Sequence, residues 1–370
     1  IQLRHEAVFR SANITIFYPT PKMKRYFLLF FLIFLLFACK KETKLEQNDW
    51  QKISQNVEIK SDGHFLKLKS GKFNYKIPTS KLPFKRIMLL NASLVGYFTE
   101  LSLENKIIGI SSPEYVYSKI IHQLLKEGKI QNIGNEQQYD LEKIIALKPD
   151  AIFTNYIASF DNTYDLIKKN GIEIIFLDEY LEQNPLEKSK YLLVIGELLG
   201  VQKEATVRFD EIKNSYDSLK ILAQSSTIKP IVLANEMYGN EWFLPGGKSN
   251  LAAFVLDANA SYVNAGNPDF KAVPMSFEEV FAKSQQAQYW INVGNHQTKK
   301  ELLQINPNYA KMNVFNTGEL YTLTGKEERK SNDYFESGVV RADLVLKDYI
   351  KIFHSELLPK YNLTYMKALK

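Results

Sequence analysis

The chain has 370 residues, 45% hydrophobic and 24% charged, with 47 Lys and Arg against 41 Asp and Glu. That composition can build buried cores, and the length suggests about two domains. The net charge of +6 is mild and its basic residues are spread along the chain, which argues against the concentrated basic face that nucleic-acid binding needs. Residues 1–22 show no folding pattern and precede Met23, so they are read as a non-native N-terminal extension. Lys24 and Arg25 then lead into Tyr26–Ala38, an unbroken apolar run. A short basic segment, an apolar core and a small residue before the cut predict a secretory signal peptide over 23–38. The run of about 13 residues is too short for a bilayer, which needs about 20.

The chain's one cysteine, Cys39, follows Leu36-Phe37-Ala38 and has no second cysteine to pair with. This segment resembles the lipobox of bacterial lipoproteins, which implies an acylated Cys39 as the new N-terminus. Acyl chains, at roughly 0.8 kcal/mol per buried methylene, would hold the exported protein at a membrane. The polar Lys40-Lys41-Glu42-Thr43-Lys44 that follows predicts a flexible, lipid-anchored tether over 39–56. Alternation at Val57 and Ile59, at Phe65, Leu66 and Leu68, and at Phe73, Tyr75 and Ile77 predicts a small β-meander over 57–84.

From Arg86 the rhythm changes to short apolar strands (Ile87–Leu90, Ile107–Ile110, Ala151–Phe153, Ile172–Leu177) alternating with helical segments. A second series follows at Ile231–Ala234, Tyr289–Val293 and Leu320–Leu323. Strand–helix alternation predicts parallel sheets covered by helices, here two Rossmann-like α/β lobes over 85–183 and 227–370. Between them, 184–226 reads as helical. Asn184-Pro185-Leu186-Glu187 supplies a cap, a first-turn Pro and an acid. After a break at Gly200, the apolar positions Ala205, Phe209, Ile212, Tyr216 and Leu219 fall on one face of a long helix. Such a helix would act as a rigid strut with the ligand cleft between the lobes.

The two halves echo each other. Asp140-Leu141-Glu142-Lys143-Ile144-Ile145-Ala146 leads toward Ala151, and Ser276-Phe277-Glu278-Glu279-Val280-Phe281-Ala282 toward Ala287. Each copy opens on a capping residue, and its apolar positions cover one helix face. Glu142 and Glu278 are left pointing to solvent. An acid in a first helical turn is also what the helix dipole favours, by about 0.3–1 kcal/mol, so their exposure alone does not define a role.

Leu141-Glu142 through Ala146-Leu147-Lys148-Pro149-Asp150 is similar to the signature of periplasmic binding proteins for iron–siderophore complexes, haem and vitamin B12. Trp242-Phe243-Leu244-Pro245-Gly246-Gly247-Lys248-Ser249 and Asn332-Asp333-Tyr334-Phe335-Glu336 through His354 agree with it, and the likeness covers about Arg86 to Leu358. The resemblance implies two α/β lobes joined by a long helix, a small-molecule ligand in the cleft, and docking of Glu142 and Glu278 on arginines of an ABC permease driven by its ATPase. The protein would be a monomeric, membrane-anchored lipoprotein of the cell envelope or periplasm. Arg–carboxylate pairs can be bidentate, which fixes orientation as well as adding attraction.

Ligand contacts in such folds come from loops at the carboxyl ends of strands. The residues so placed are Tyr115, Tyr117 and Tyr156 in the first lobe, and Glu236, Tyr238, Trp242, Tyr334, Phe335 and Arg341 in the second. Aromatic planes suit a large, partly apolar ligand, and an Arg can pair with its carboxylate or phosphate. Asn155 and Tyr156 stand where the cleft tryptophan of the vitamin B12 binders is expected. A ferric siderophore or haem is therefore favoured over cobalamin.

Signals for other chemistry fail on inspection. Gly246-Gly247-Lys248-Ser249 lacks the earlier glycine of a phosphate-binding loop, Trp242 standing in its place. No G-x-S-x-G elbow is present. The five histidines are scattered, with only His296 near the expected cleft, so neither a catalytic residue nor a resident metal or cofactor is assigned. Two rivals stay open: an enzyme acting on the chelate, and a surface lipoprotein that scavenges ligand without a permease.

Overall fold

The structure, a computed structural model, describes residues 50–135 and 137–370. The extension 1–22, the signal segment 23–38 and Cys39 lie outside the described residues. Residues Trp50–Lys370 form one compact unit.

The first element is an antiparallel meander of strands Gln51–Lys52, Val57–Ser61, Phe65–Ser70 and Phe73–Pro78. Its alternating burial follows the period-2 pattern of the sequence, with Val57, Ile59, Leu66, Leu68 and Ile77 turned into a core. Within the span 39–56 expected as a tether, the described residues are folded: Ile53 and Ser54 are buried and the Ser54 hydroxyl donates to Glu182 Oε1 at 2.6 Å.

The first lobe is built on five parallel strands in the order Glu173–Phe176, Ala151–Thr154, Ile87–Leu89, Ile107–Ile110, Gln131–Asn132. Both faces are covered, so its central strands are largely apolar, while the edge strand Gln131–Asn132 is polar. Leu89 and Phe153 enter the core shared with the meander, while Met88, Ile152 and Ile174 enter a second core on the opposite face. The second lobe has the parallel order Ser261–Tyr262, Ile231–Ala234, Tyr289–Ile291, Glu319–Thr322, closed by antiparallel Lys367–Ala368. In each lobe the strand earliest in sequence sits inside the sheet with later strands on both sides. That creates the topological switch at which α/β sheets open a crevice.

Helices Tyr191–Leu199 and Gln202–Ala223 connect the lobes, separated at Gly200, whose φ of +74° suits a residue without a Cβ. The predicted face of the longer helix is buried. Phe209 and Ile212 join the first lobe's core, and Tyr216, Leu219 and Ala223 join the second's. One helix is thus embedded in both lobes.

Candidate functional site

Two cavities of about 320 and 530 Å³, sharing Lys330, lie where loops from the carboxyl ends of both sheets meet. Both fall in the size range of small-molecule sites. The smaller is lined by Asn91, Ser93 and Tyr115 from the first lobe and by Asn295, Lys330 and Phe335 from the second. The larger adds Tyr117 and Lys119 from the first lobe and Glu328 and Arg329 from the second.

The first lobe's contribution is held rigidly from below. Asn91 caps the turn that follows strand Ile87–Leu89, its Oδ1 accepting from the Ser93 N–H at 2.9 Å. Glu179, fully buried, accepts from the Ser93 hydroxyl at 2.7 Å and from Asn155 Nδ2 at 2.7 Å, while Asn91 donates to Asn155. Burial raises the Glu179 carboxyl above its ordinary range, with the Ser93 and Asn155 donors opposing that rise.

The second lobe sends up a charged hairpin. Strands Glu327–Glu328 and Ser331–Asn332 pair across Arg329 and Lys330. Arg329 has φ +58°, a left-handed conformation that a non-glycine residue holds only when its surroundings impose it. Lys330 Nζ stands 5.9 Å from the centre of the Tyr115 ring. The carboxylate of Glu336 bridges the lobes, accepting from the Tyr117 N–H at 2.6 Å and the Ser118 N–H at 3.1 Å. Burial, with Asp333 nearby, pushes Glu336 up to about 7 against the pull of these two donors. Gly96 permits this approach, since a Cβ there would run into the Glu336 carbonyl.

Of the nine expected ligand residues, Tyr115, Tyr117 and Phe335 line the cavities; Tyr115 and Phe335 expose about half their surface. The other six do not. Trp242 is fully buried, stacked on Trp290 at 5.4 Å with its indole N–H donating to Ala234 O at 3.0 Å. It is a core residue, because Gly239-Asn240 is the two-residue turn of a hairpin and Trp242 takes an inward strand position beyond it. Arg341 is engaged by Asp343 through Nε and Nη2 at 2.8 and 2.9 Å, leaving no free fork for a ligand. Tyr156 packs against Phe73 and Phe176, lies under Lys72 Nζ at 3.8 Å, and donates its hydroxyl to Asp161 at 3.0 Å. Tyr334 packs on the second lobe's core beside Tyr365, and Tyr238 stands 82% exposed at the hairpin turn, outside both cavities. His296 Nε2 lies 2.8 Å from Glu236 Oε2, and burial raises that carboxyl while the imidazole opposes it. Among the described residues no cluster of three His, Cys, Asp or Glu suits a metal.

Glu142 and Glu278 sit in the first turns of helices Leu141–Leu147 and Phe277–Lys283. Both are exposed, and neither has a hydrogen bond or ion pair among the described residues. Asp140 accepts from the Lys143 N–H at 3.0 Å. In the second copy Ser276 and Glu279 form a reciprocal capping box, so the neighbouring acid is used for the cap and Glu278 is left over.

Asn91, Ser93, Lys330 and Glu336 also contribute to the site, although no sequence motif marks them. Gly325 and the run Lys326-Glu327-Glu328-Arg329-Lys330-Ser331-Asn332 carry a turn signal, but nothing in them shows that the turn faces the other lobe.

A family model described as "Periplasmic binding protein" matches residues 87–327. An uncharacterized lipoprotein of Methanocaldococcus jannaschii is 21% identical over 292 residues, 76% of this chain and 68% of its own length. A second lipoprotein of that organism is 23% identical, and the chain spans 64% of it. Among solved structures, a possible iron-binding (periplasmic solute-binding) protein of Staphylococcus epidermidis has a TM-score of 0.57 at 19% identity, over 74% of this chain and 99% of that one. The haem-binding protein RhuT of Roseiflexus reaches 0.54 at 17% identity, over 74% and 99%. The siderophore-binding protein BauB, bound to acinetobactin and ferric iron, reaches 0.57 at 16% identity, over 78% and 99%.

Proposed function

The chain belongs to the periplasmic binding protein family, whose members bind solutes and are not enzymes, and we propose that it is the lipid-anchored binding protein of an ABC importer. Its ligand is a metal chelate, a ferric siderophore or haem, held between the lobes. The observation that carries this reading is the pair of cavities lined from both lobes by Tyr115, Tyr117, Phe335, Lys330 and Arg329. Aromatic faces take up the apolar part of such a chelate. Lys330 and Arg329 supply fixed positive charge for its carboxylates or hydroxamates, which matters most where water is excluded. No cluster of three His, Cys, Asp or Glu among the described residues suits a metal, and in this reading the chelator coordinates it. The iron-binding, haem-binding and siderophore-binding names of the similar structures support the ligand class.

Glu142 and Glu278 would then meet arginines of the permease, one from each lobe, and Cys39 would carry the lipid anchor. The unengaged state of both carboxylates supports the docking role, and the lipoprotein names of the relatives support the anchor.

Titration calorimetry of the folded unit with ferric siderophores, haem and cobalamin tests the ligand class. Calorimetry is preferred to tryptophan fluorescence because Trp242 and Trp290 are buried in the core, away from the cavities. Saturable binding of an iron chelate or haem is expected. Binding of cobalamin alone, or of none of them, overturns the assignment.

A further inference from the structure

We propose that the N-terminal meander is a positioning element for the ligand site, acting through Glu182 and Glu179. The proposal rests on the two cavities holding the ligand, as read above. The meander precedes residues 87–327, the part matched by the family model, so it is an addition to the ligand-binding core. It nevertheless grips the turn that underlies the first lobe's half of the site.

That turn, Asp178–Glu182, follows strand Glu173–Phe176 and is closed by two i,i+3 hydrogen bonds, Leu181 N–H to Asp178 O and Glu182 N–H to Glu179 O, both at 3.1 Å. Such tight winding keeps the spacing of its side chains fixed. The meander holds the turn at both ends. Glu182 is wholly buried, and its Oε1 accepts from the Ser54 hydroxyl at 2.6 Å and the Asn56 N–H at 3.1 Å, with the Tyr191 hydroxyl a third donor at 3.3 Å. The Gly71 N–H donates to Asn56 O at 2.9 Å, which ties the hairpin turn at Gly71 to the same loop. That hairpin turn runs past Asp178: a Cβ on Gly71 would lie 4.0 Å from Asp178 Oδ2. Burial raises the Asp178 carboxyl, while the Tyr156 N–H, donating to its Oδ1 at 2.7 Å, and the charge of Lys72 oppose the rise.

Between these two anchors stands Glu179, which reaches the other way. It holds the Ser93 hydroxyl and Asn155 Nδ2, and Asn155 accepts from Asn91. Asn91 and Ser93 line the smaller cavity. Lys188 is the buried cation that attracts both Glu179 and Glu182. A buried group of acids and a lysine is often no more stabilising than apolar residues of the same volume, so stability alone does not account for it. What it supplies is direction, because binding residues keep their geometry when hydrogen bonds behind them lock their rotamers. The route runs from Ser54 and Asn56 through Glu182 and Glu179 to Ser93, Asn155 and Asn91.

The test compares two hydrogen bonds between the meander and the first lobe. Ser54 is connected to the cavity through Glu182, whereas Tyr75, whose hydroxyl accepts the Phe176 N–H at 2.8 Å, is not. Ser54→Ala and Tyr75→Phe should both lower stability in denaturant unfolding. Only Ser54→Ala should weaken binding, by about tenfold, in calorimetry of the folded full chain in detergent. The probes are ferrioxamine B, ferric enterobactin and haem, whichever the wild-type chain binds. Glu182→Ala should weaken binding at least as much, and Glu182→Gln, which keeps the Oε1 acceptor, should hold it within about twofold of wild type. Amide exchange of the ligand-free chain is the second readout. Relative to the core amides of 87–89, Ser54→Ala should speed exchange of the Ser93 and Tyr156 amides about tenfold, and Tyr75→Phe should leave them unchanged. Equal affinity loss in Ser54→Ala and Tyr75→Phe, unchanged Ser93 and Tyr156 exchange in Ser54→Ala, or a loss in Glu182→Gln as large as in Glu182→Ala overturns the proposal. If the wild-type chain binds none of the three probes, the ligand reading fails by itself, and the exchange result still decides the positioning.

Discussion

Helices Leu141–Leu147 and Phe277–Lys283 are the same length, start from side-chain caps, and each leave one glutamate unengaged in the first turn. The loops at the cavities are not matched in this way. The first lobe offers Asn91 and Ser93, fixed to the buried Glu179, whereas the second offers a charged hairpin with Arg329 in a left-handed conformation. Features repeated across the lobes suit a partner that touches both lobes alike, and unrepeated ones suit a ligand with two different sides. The contrast separates docking from recognition within one fold.

The largest expected effect tests which aromatics belong to the ligand. Trp242→Ala should cost about 3–5 kcal/mol of stability in denaturant unfolding, as large core truncations do, with ligand affinity of the folded fraction unchanged. Loss of affinity at full stability would return Trp242 to the cleft. The next effect sharpens the symmetry of the lobes. Glu142→Ala and Glu278→Ala should each lower chelate uptake by cells roughly thirtyfold or more, since truncating one partner of a desolvated charge pair costs about 2–5 kcal/mol. Calorimetric affinity should not change. A strong effect at one site and none at the other would break the pairing.

Two smaller effects probe the asymmetric side. Glu336 has its carboxyl raised from 4.5 to about 7 while it spans the lobes. If opening returns it to water, the closed form binds the extra proton. Closure is then favoured fully below about pH 4.5, and that advantage is lost as pH rises to about 7. Small-angle scattering should show a more compact molecule at about pH 5 than at about pH 8, and Glu336→Gln should flatten that difference. Lys330→Ala should weaken an anionic chelate about tenfold at low salt and less at high salt, read by calorimetry.

Much of the scaffold was legible because it rests on periodicity. The strand–helix alternation, the echo that places Glu142 and Glu278, and the face Ala205-Phe209-Ile212-Tyr216-Leu219 all follow from local spacing. The cavity residues were less legible because their roles come from distant partners. Tyr156 is taken out of the cleft by Phe73, a residue of the meander, and Arg341 by its neighbour Asp343. Trp242 was misplaced for a local reason, since its Gly239-Asn240 hairpin signal reads as a loop unless the strands on both sides are recognised. Glu336 gives no local sign that its partners are the backbone amides of Tyr117 and Ser118 in the other lobe.

The central claim, a ligand enclosed by both lobes, is tested most directly by amide hydrogen exchange with and without a bound ferric siderophore or haem. Protection is expected together in 91–93, 113–118 and 327–336, segments that belong to opposite lobes. Protection confined to one lobe, or appearing only away from these loops, would contradict it.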